Sequence, residues 1–399
     1  MEELKVLQGA ERRRERVPFI AKMDVFPLVH ALAQPDRYGS TKAWASHRTA
    51  TLVRLTTDEG AIGWGECYGP PEPTTALLRT LAPEVVGRRA DSISEFLMRC
   101  YSTNYHTSVA GIYSAALSGL DIAAWDAWAR TLNVSVANLL GGRLRSSIQM
   151  YASTGYSRPD EDPERFRQEI RSAVAAGFKA CKIRVGFGPK IDEQRVAYAR
   201  QELGESRLLM VDYNANGTAD LAIRSLDRLA PYDLTWAEEP LPPWDTAGWA
   251  RLRQRTSVPL AAGEAACTRF EFKDLLCASV LDIVQPDLTF CGGISEASVV
   301  GHMAAAWNIR FSPHIWGGAI GQAASLQLLA ALPVPSFGRV DPAPLVFEWD
   351  CGDNPLRDLL LIEPLEREHG HVKIPEGPGL GVVPDPAVLA EFALKEMPR

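Results

Sequence analysis

The sequence predicts an α/β protein in which a parallel βα barrel follows a small α+β domain. Three observations carry this expectation. After Arg145, short β-branched or apolar runs alternate with helical stretches at the spacing of one βα unit. Before it, strand-like segments come first and helical ones after them. The chain's 399 residues exceed one average domain and suit a large barrel with a smaller companion. Periodicity alone leaves an open parallel sheet as the alternative to a closed barrel.

The elements follow in order. Residues 1–17 are polar and read as an arm, with Arg12 to Arg14 and Arg16 offset by Glu11 and Glu15, a solvated pattern. From Ala21 the texture is strand-like. Arg48 to Leu55, the turn Asp58-Glu59-Gly60 and Ala61 to Glu66 predict a hairpin. Residues 74–140 read helical, and Ile112, Ala116, Leu120, Ala123 and Ala127 form an apolar stripe that needs a partner surface. Gly141-Gly142 stops that region. Barrel strands are then expected at Ser147–Ala152, Ala180–Val185, Leu208–Asp212, Leu234–Ala237, Pro259–Ala262, Ile283–Gln285 and Ile309–Ser312. Asp162 as N-cap with Pro163 at the first helical position opens the helix after the first of them. From about Phe347 the chain is rich in Pro and Gly and reads as an ordered segment packed on the rest.

Composition narrows the function classes. Hydrophobic residues make up 46%, enough for a sizeable core. A net charge of −7 gives no reason to expect nucleic acid or an anionic membrane as partner. No charged leader precedes an apolar run, and no window holds about 18 uncharged apolar residues. Seven cysteines, an odd count without a CxxC pair, read as reduced core residues. Together these place the chain in the cytoplasm as an expectation.

Chemistry concentrates where the strands end. Asp212, Glu238, Glu264, Asp287 and His314 each close a predicted strand, at spacings of 26, 26, 23 and 27 residues. One βα unit is about that long, so these side chains should share the C-terminal rim of the barrel. Taken singly, each carboxylate reads equally well as a helix N-cap or a rim salt bridge. Three ionised carboxylates brought together call for a cation, and oxygen-only ligands select Mg²⁺, with Mn²⁺ as the other candidate. Lys182 and Arg184, two apart in Cys181-Lys-Ile-Arg-Val185, point to one side of a strand. They would meet either a substrate carboxylate beside the metal or the rim carboxylates themselves. Asp287 could hold the Nδ1 proton of His314 and tune it as a general acid–base, whereas His302 sits within a helical stretch and reads as structural.

These residues, in this order, resemble the enolase superfamily and specifically its mandelate racemase subgroup. The resemblance runs from about Ala21 and includes Gly63-Trp-Gly-Glu66, Ala116 to Asp126 and Leu139-Leu-Gly-Gly142. It implies a modified TIM barrel, (β/α)7β, with an N-terminal α+β capping domain. The divisions expected are an arm at 1–17, a capping domain at 18–143, a barrel at 144–346 and a C-terminal segment at 347–399 that returns to the capping domain. By resemblance, Asp212, Glu238 and Glu264 are the magnesium ligands and His314 with Asp287 is the catalytic dyad. Lys182 and Arg184 match the Lys-x-Lys strand, and Glu348 the glutamate of the eighth strand that meets the substrate carboxylate. Arg184 departs from the pattern, because a guanidinium stays protonated and cannot serve as a racemase's second base.

The resemblance implies abstraction of the proton next to a carboxylate, through an enediolate, in a small-molecule sugar acid or its lactone. Similarity to acid-sugar dehydratases points to a lyase. Similarity of the C-terminal half to galactarolactone cycloisomerases, through Ala180–Ile183, Gly186-Phe-Gly188, Pro313–Gly317, Asn354–Arg357 and Ile374–Gly381, points to an isomerase, either a lactone cycloisomerase or an epimerase. A metal-binding barrel without turnover, or a hydrolase, is the reading from another class. Candidate substrate contacts are Asn214, Glu348 and Trp316 on the barrel and Tyr38, Trp44, His47 and Arg48, beside Arg37, in the capping segment. Relatives of this kind assemble as homo-oligomers, which is a further expectation.

Overall fold

A computed structural model describes residues 17–34, 37–42, 44–158, 162–333 and 345–395. The arm expected at 1–17 lies outside these residues except for its last member. The chain begins with an antiparallel sheet of β1 (Ile20–Ala31), β4 (His47–Thr57) and β5 (Ile62–Cys67), between which β2 (Tyr38–Gly39) and β3 (Trp44–Ala45) make a separate two-stranded ribbon. Four helices follow: α1 (Pro71–Val85), α2 (Ile93–Thr103), α3 (Gly111–Thr131) and α4 (Val136–Leu139).

The expected stripe on α3 understates its burial. Ser114, Ser118, Asp121 and Asp126 are buried along with Ala116, Leu120, Ala123 and Ala127, because the helix lies between the capping sheet and the barrel, whereas Ile112, in the helix's first turn, is exposed. Gly63 and Gly65 on β5 make the close approach feasible. A Cβ at Gly63 would overlap the Ala123 carbonyl oxygen, and one at Gly65 that of Gly119. The motif Gly63-Trp-Gly-Glu66 is therefore the seam on which the helix sits.

Seven βα units and a closing strand form the barrel: β6 (Ser147–Thr154), α5 (Pro163–Ala175), β7 (Ala180–Arg184), α6 (Pro189–Leu203), β8 (Leu208–Asp212), α7 (Ala219–Leu229), β9 (Leu234–Glu238), α8 (Thr246–Arg253), β10 (Leu260–Ala262), α9 (Thr268–Cys277), β11 (Ile283–Val284), α10 (Gly293–Ala306), β12 (Arg310–Phe311), α11 (Ala319–Ala331) and β13 (Val346–Asp350). The strands pair in parallel from β6 through β12, and β13 pairs with β6 from the other side. The Ser312 hydroxyl, just past β12, reaches the Val346 carbonyl of β13 at 3.4 Å, and side chains of β6 to β11 and β13 meet in one interior cluster, which makes this a barrel rather than an open sheet. The boundary expected at 346/347 falls inside β13, which belongs to the barrel because its ladder with β6 runs from Val346 to Asp350. Asp162 caps α5 by accepting from the Glu164 N–H at 3.0 Å, as its position before Pro163 predicts.

Strand alternation separates two layers. Tyr151, Ala180, Met210, Trp236, Ala261, Ile283 and Val346 fill the barrel interior as an apolar plug. Two residues further along the same strands, Ser153, Lys182, Asp212, Glu238 and Glu348 face the same way and make a polar layer above it. After the barrel come α12 (Pro355–Asp358), β14 (Arg367–Glu368), β15 (His371–Lys373) and α13 (Pro386–Glu391). The end of the chain returns to the capping sheet, where the Leu394 N–H donates to the Pro27 carbonyl at 2.8 Å. All seven cysteines are free. Five are buried as expected, whereas Cys277 and Cys351 are exposed, since they sit at the end of α9 and in the turn after β13.

Candidate active site

The ladder sets the site's first row. Arg184, Asp212 and Glu238 are register partners across β7, β8 and β9, so their side chains stand side by side at the strand ends. Ligand oxygens of Asp212, Glu238 and Glu264 lie within 4.8 Å of one another. Glu264 Oε2 is buried and has no hydrogen-bond donor. An all-oxygen set with an unpartnered carboxylate oxygen fits a hard divalent cation. Neighbours orient the other two. Asp212 Oδ1 accepts from the Asn214 N–H at 2.7 Å, and Glu238 Oε2 accepts from Gln285 Nε2 at 2.7 Å and Trp236 Nε1 at 3.2 Å.

Lys182 and Arg184 both point inward and both are buried. Lys182 Nζ lies 2.5 Å from Glu238 Oε1, 2.8 Å from Glu348 Oε1 and 3.8 Å from Asp212 Oδ2. Burial pulls its pKa down, but the Glu238 and Glu348 charges outweigh that and hold it above the ordinary lysine value. Arg184 forms an ion pair with Asp212, and burial is likewise outweighed, so its guanidinium is held above its ordinary value. Glu348 moves the opposite way. Burial raises it, but Lys182, His314 and Arg184 bring it down to about 2. In this geometry the two cations meet the rim carboxylates, which was one of the two arrangements their spacing allowed.

His314 Nδ1 is 2.8 Å from Asp287 Oδ2, and its Nε2 is 3.5 Å from Glu264 Oε2. Asp287 is itself fixed, with Oδ1 accepting from the Thr289 N–H at 2.7 Å and its hydroxyl at 2.6 Å. Burial lowers the ring's pKa, but Glu264 and the Asp287 hydrogen bond more than offset it and carry it to about 10. Three carboxyl and amide groups fasten the loop that carries His314. Glu348 Oε2 accepts from the Ile315 N–H at 3.0 Å, and Asn354 Nδ2 donates to the Gly317 carbonyl at 3.2 Å. Glu66, from the capping sheet, accepts from the Gly318 N–H and, at 2.9 Å, the Gly321 N–H, plugging the N-terminus of α11. Burial first, and Asp287 next, raise the Glu66 carboxyl to about 7.

Above this row lies a cavity of about 310 Å³ lined by Tyr38, Gly39, Ser40, Trp44, Ala45, Tyr68, Tyr156, Arg184, Asn214, Glu264, His314 and Trp316. Two wider clefts of about 600 and 620 Å³ lie elsewhere and contain none of the metal-ligating candidates or His314. Tyr38, Trp44, Asn214 and Trp316 are thus brought to the cavity. Arg48 and His47 are not on its lining. Arg48 is 2% exposed, stacked between Tyr38 and Trp316 at 4.5 and 4.6 Å, with Nη2 on Asp350 Oδ2 at 2.7 Å. His47 is half-buried with Nδ1 2.9 Å from Ser46 Oγ. His302 is exposed on α10 and bonds the Ser298 carbonyl.

Sequence reasoning missed Tyr68, Tyr156, Ser153, Asp350 and Glu66. The strand-end rule would have reached one of them: Ser153 on β6 is the register partner of Lys182 on β7.

Fold and site together define an enzyme of the enolase superfamily. Residues 165–388 match the family described as "Enolase C-terminal domain-like", and residues 34–141 match "Mandelate racemase / muconate lactonizing enzyme, N-terminal domain". The chain belongs to this family, in its mandelate racemase subgroup. It is 36% identical over 370 residues to D-galactarolactone cycloisomerase of Agrobacterium fabrum, covering 92% of this chain and 97% of that protein. It is 30% identical over 359 residues to arabinonate dehydratase of Saccharolobus solfataricus, covering 89% and 93%. The crystal structure of 3,6-anhydro-D-galactonate cycloisomerase from Zobellia galactanivorans superposes with a TM-score of 0.85 at 31% identity, covering 94% of this chain and all of that one.

Proposed function

We propose that this enzyme removes the proton α to the carboxylate of a sugar acid, with His314 as base, and then expels the β-oxygen, acting as a Mg²⁺-dependent acid-sugar dehydratase. The observation that carries this reading is the His314–Asp287 pair on one rim with the Asp212, Glu238 and Glu264 cluster. Magnesium, held by those three carboxylates with Mn²⁺ as a substitute, would supply electrostatic stabilisation of the enediolate charge. Lys182 and Arg184 remain cationic and would hold the carboxylate where that charge develops, with Glu348 beside it fixing Lys182 as an acceptor. Asp287 keeps the His314 Nδ1–H in place, and a cation on Glu264 would offset the charge that most raises the ring, so that Nε2 can be free to take the α-proton and return it to the departing hydroxyl. Because Arg184 cannot act as a base, proton transfer is confined to the His314 side, against racemisation.

A second reading is opening of a lactone or anhydro ring, in which the leaving β-oxygen is the ring oxygen. The 36% relative and the structural neighbour, both named as cycloisomerases, favour it. The same residues serve both outcomes, and Tyr38, Trp44, Asn214 and Trp316, on the cavity wall, would read the substrate's distal end. Arg48 and His47 would act from behind that wall. We further place the capping domain at 18–143 and the enzyme in the cytoplasm as a homo-oligomer. Five buried free cysteines suit a reducing compartment.

The test is a panel of aldonic and aldaric acids and their lactones, incubated with Mg²⁺ in D₂O and followed by NMR and product mass. A keto product lighter by one water, abolished in His314→Asn, is the expected outcome. Unchanged mass moves the assignment to the cycloisomerase. A His314→Asn enzyme that still exchanges its substrate's α-proton at the wild-type rate sinks the assignment of the base.

A further inference from the structure

The guanidinium of Arg184 has two neighbours besides Asp212. Its Nη2 lies 3.4 Å from Ser153 Oγ and 3.5 Å from the Tyr156 hydroxyl, and its Cζ stands 4.9 Å over the Tyr156 ring. Tyr156 is buried and has its own fixed partner, since its hydroxyl donates to Asp350 Oδ1 at 2.7 Å. With the phenolic proton committed to Asp350, the oxygen's lone pairs are what it can offer Arg184.

Asp350 ends β13 and is the register partner of Ser153 on β6. Its carboxylate is fully engaged. Oδ1 also accepts from the Gly352 N–H at 2.9 Å, and Oδ2 meets Arg48 Nη2 at 2.7 Å and Arg357 Nη1 at 3.3 Å. Gly352 makes room for this knot: a Cβ there would sit 2.6 Å from Arg48 Nη2 and 3.1 Å from Asp350 Oδ1. Arg48 comes from the capping sheet, so the chain Arg48–Asp350–Tyr156–Arg184 runs unbroken from the cap to the cation of the reaction row.

We propose that Tyr156, oriented by Asp350 and through it by Arg48, is the positioning residue that aims the Arg184 guanidinium at the substrate carboxylate. This rests on the reading above that Arg184 serves a carboxylate. A guanidinium's usefulness lies in the direction of its planar fork. Its present partner, Asp212, is one of the three candidate cation ligands, so a second anchor is needed once that carboxylate is engaged elsewhere.

The test uses the full chain with Mg²⁺ and reads binding of tartronate, a small hydroxy-dicarboxylate resembling an enediolate, by calorimetry. Tyr156→Phe keeps the ring and removes the hydroxyl. It should weaken tartronate about tenfold in the wild-type background and leave affinity unchanged when combined with Arg184→Ala, because the tyrosine acts through the arginine. Asp350→Asn should reproduce the Tyr156→Phe loss. Equal losses in both backgrounds, or no loss in either, overturn the proposal, and so does failure of the wild-type enzyme to bind tartronate. Since binding is the readout, a wild-type enzyme that shows this coupling yet exchanges no α-proton in any acid would count against the proposed reaction and leave the positioning role standing. Unfolding curves for each variant separate lost anchoring from lost structure.

Discussion

Lys182 shares a face of β7 with Arg184 but meets a different pair of carboxylates, Glu238 and Glu348. Buried charges are tolerated when each finds an opposite partner, and removing one partner leaves the others exposed to the full cost of desolvation. Lys182→Met should therefore destabilise the fold by about 3–5 kcal/mol, measured by urea unfolding in the absence of Mg²⁺. A loss below about 1 kcal/mol, the range of a surface pair, would show that the lysine is not bearing those charges. The strand-end residues were legible because a βα repeat fixes their spacing and because three carboxylates gathered on one rim call for a cation where any one alone would not. Tyr156 was not, since a lone tyrosine after a Thr-Gly step carries no charge pattern. Its role appears only when Asp350, 194 positions away, arrives beside it. Arg48 was legible as a cation of the capping segment but not as one sandwiched between two rings, which depends on how Tyr38 and Trp316 fold toward each other.

At the scale of elements, the seam between β5 and α3 and the carboxylates that cross it decide how the capping domain meets the barrel. Gly63→Ala would push a methyl group into the Ala123 carbonyl, with backbone on both sides and no flexible side chain to yield. Overpacking of this kind costs about 1–3 kcal/mol or more, so the thermal midpoint should fall clearly below wild type. An unchanged midpoint would mean that the helix can retreat. Two carboxyl groups of the capping domain plug barrel helices from this side. Glu66 caps α11, and Asp121 accepts from the Ser295 N–H at 2.9 Å in the first turn of α10. Burial is the leading cause that raises both to about 7. The folded protein thus holds protons that the unfolded chain has released between the ordinary carboxylate range and pH 7. Stability must fall as pH climbs through that window and level off above it. Glu66→Gln should flatten the decline between pH 5 and 8 by about 3 kcal/mol, read from urea midpoints across that range. Parallel curves for the two proteins would contradict it. The hairpin and the barrel strands were foreseen from alternation and β-branching. The depth of α3 was not, because glycines on a neighbouring strand, rather than its own apolar stripe, set how close it packs.

For the whole molecule, the decisive quantity is the charge gathered at the C-terminal rim. Asp212, Glu238, Glu264, Asp287 and Glu348 converge there against two permanent cations, Lys182 and Arg184, with His314 between Glu264 and Asp287. The carboxylates outnumber the permanent cations, and Glu264 Oε2 accepts no hydrogen bond, with only His314 Nε2 near it at 3.5 Å. A divalent cation would supply the missing positive charge, and because the three oxygens come from three different strands, its binding would tie β8, β9 and the end of β10 together. The unfolded chain has no such cluster, so binding must stabilise the fold by mass action. At a Mg²⁺ concentration 100 times the dissociation constant the gain is about 2.7 kcal/mol. For a chain of this size that corresponds to a rise in thermal midpoint of about 3 °C, on the order of 1 °C per kcal/mol. Mn²⁺ should act similarly, and Glu264→Gln should remove the shift while leaving the midpoint without metal near or above that of the wild type, because it also takes one negative charge out of a row in which carboxylates outnumber the permanent cations. EDTA should return the wild-type protein to its metal-free midpoint. Should Mg²⁺ and Mn²⁺ at millimolar concentration leave the wild-type midpoint where EDTA puts it, the carboxylate row would have to be read as the partner of Lys182 and Arg184 alone, and the proposed reaction would lose the charge it needs to stabilise an enediolate.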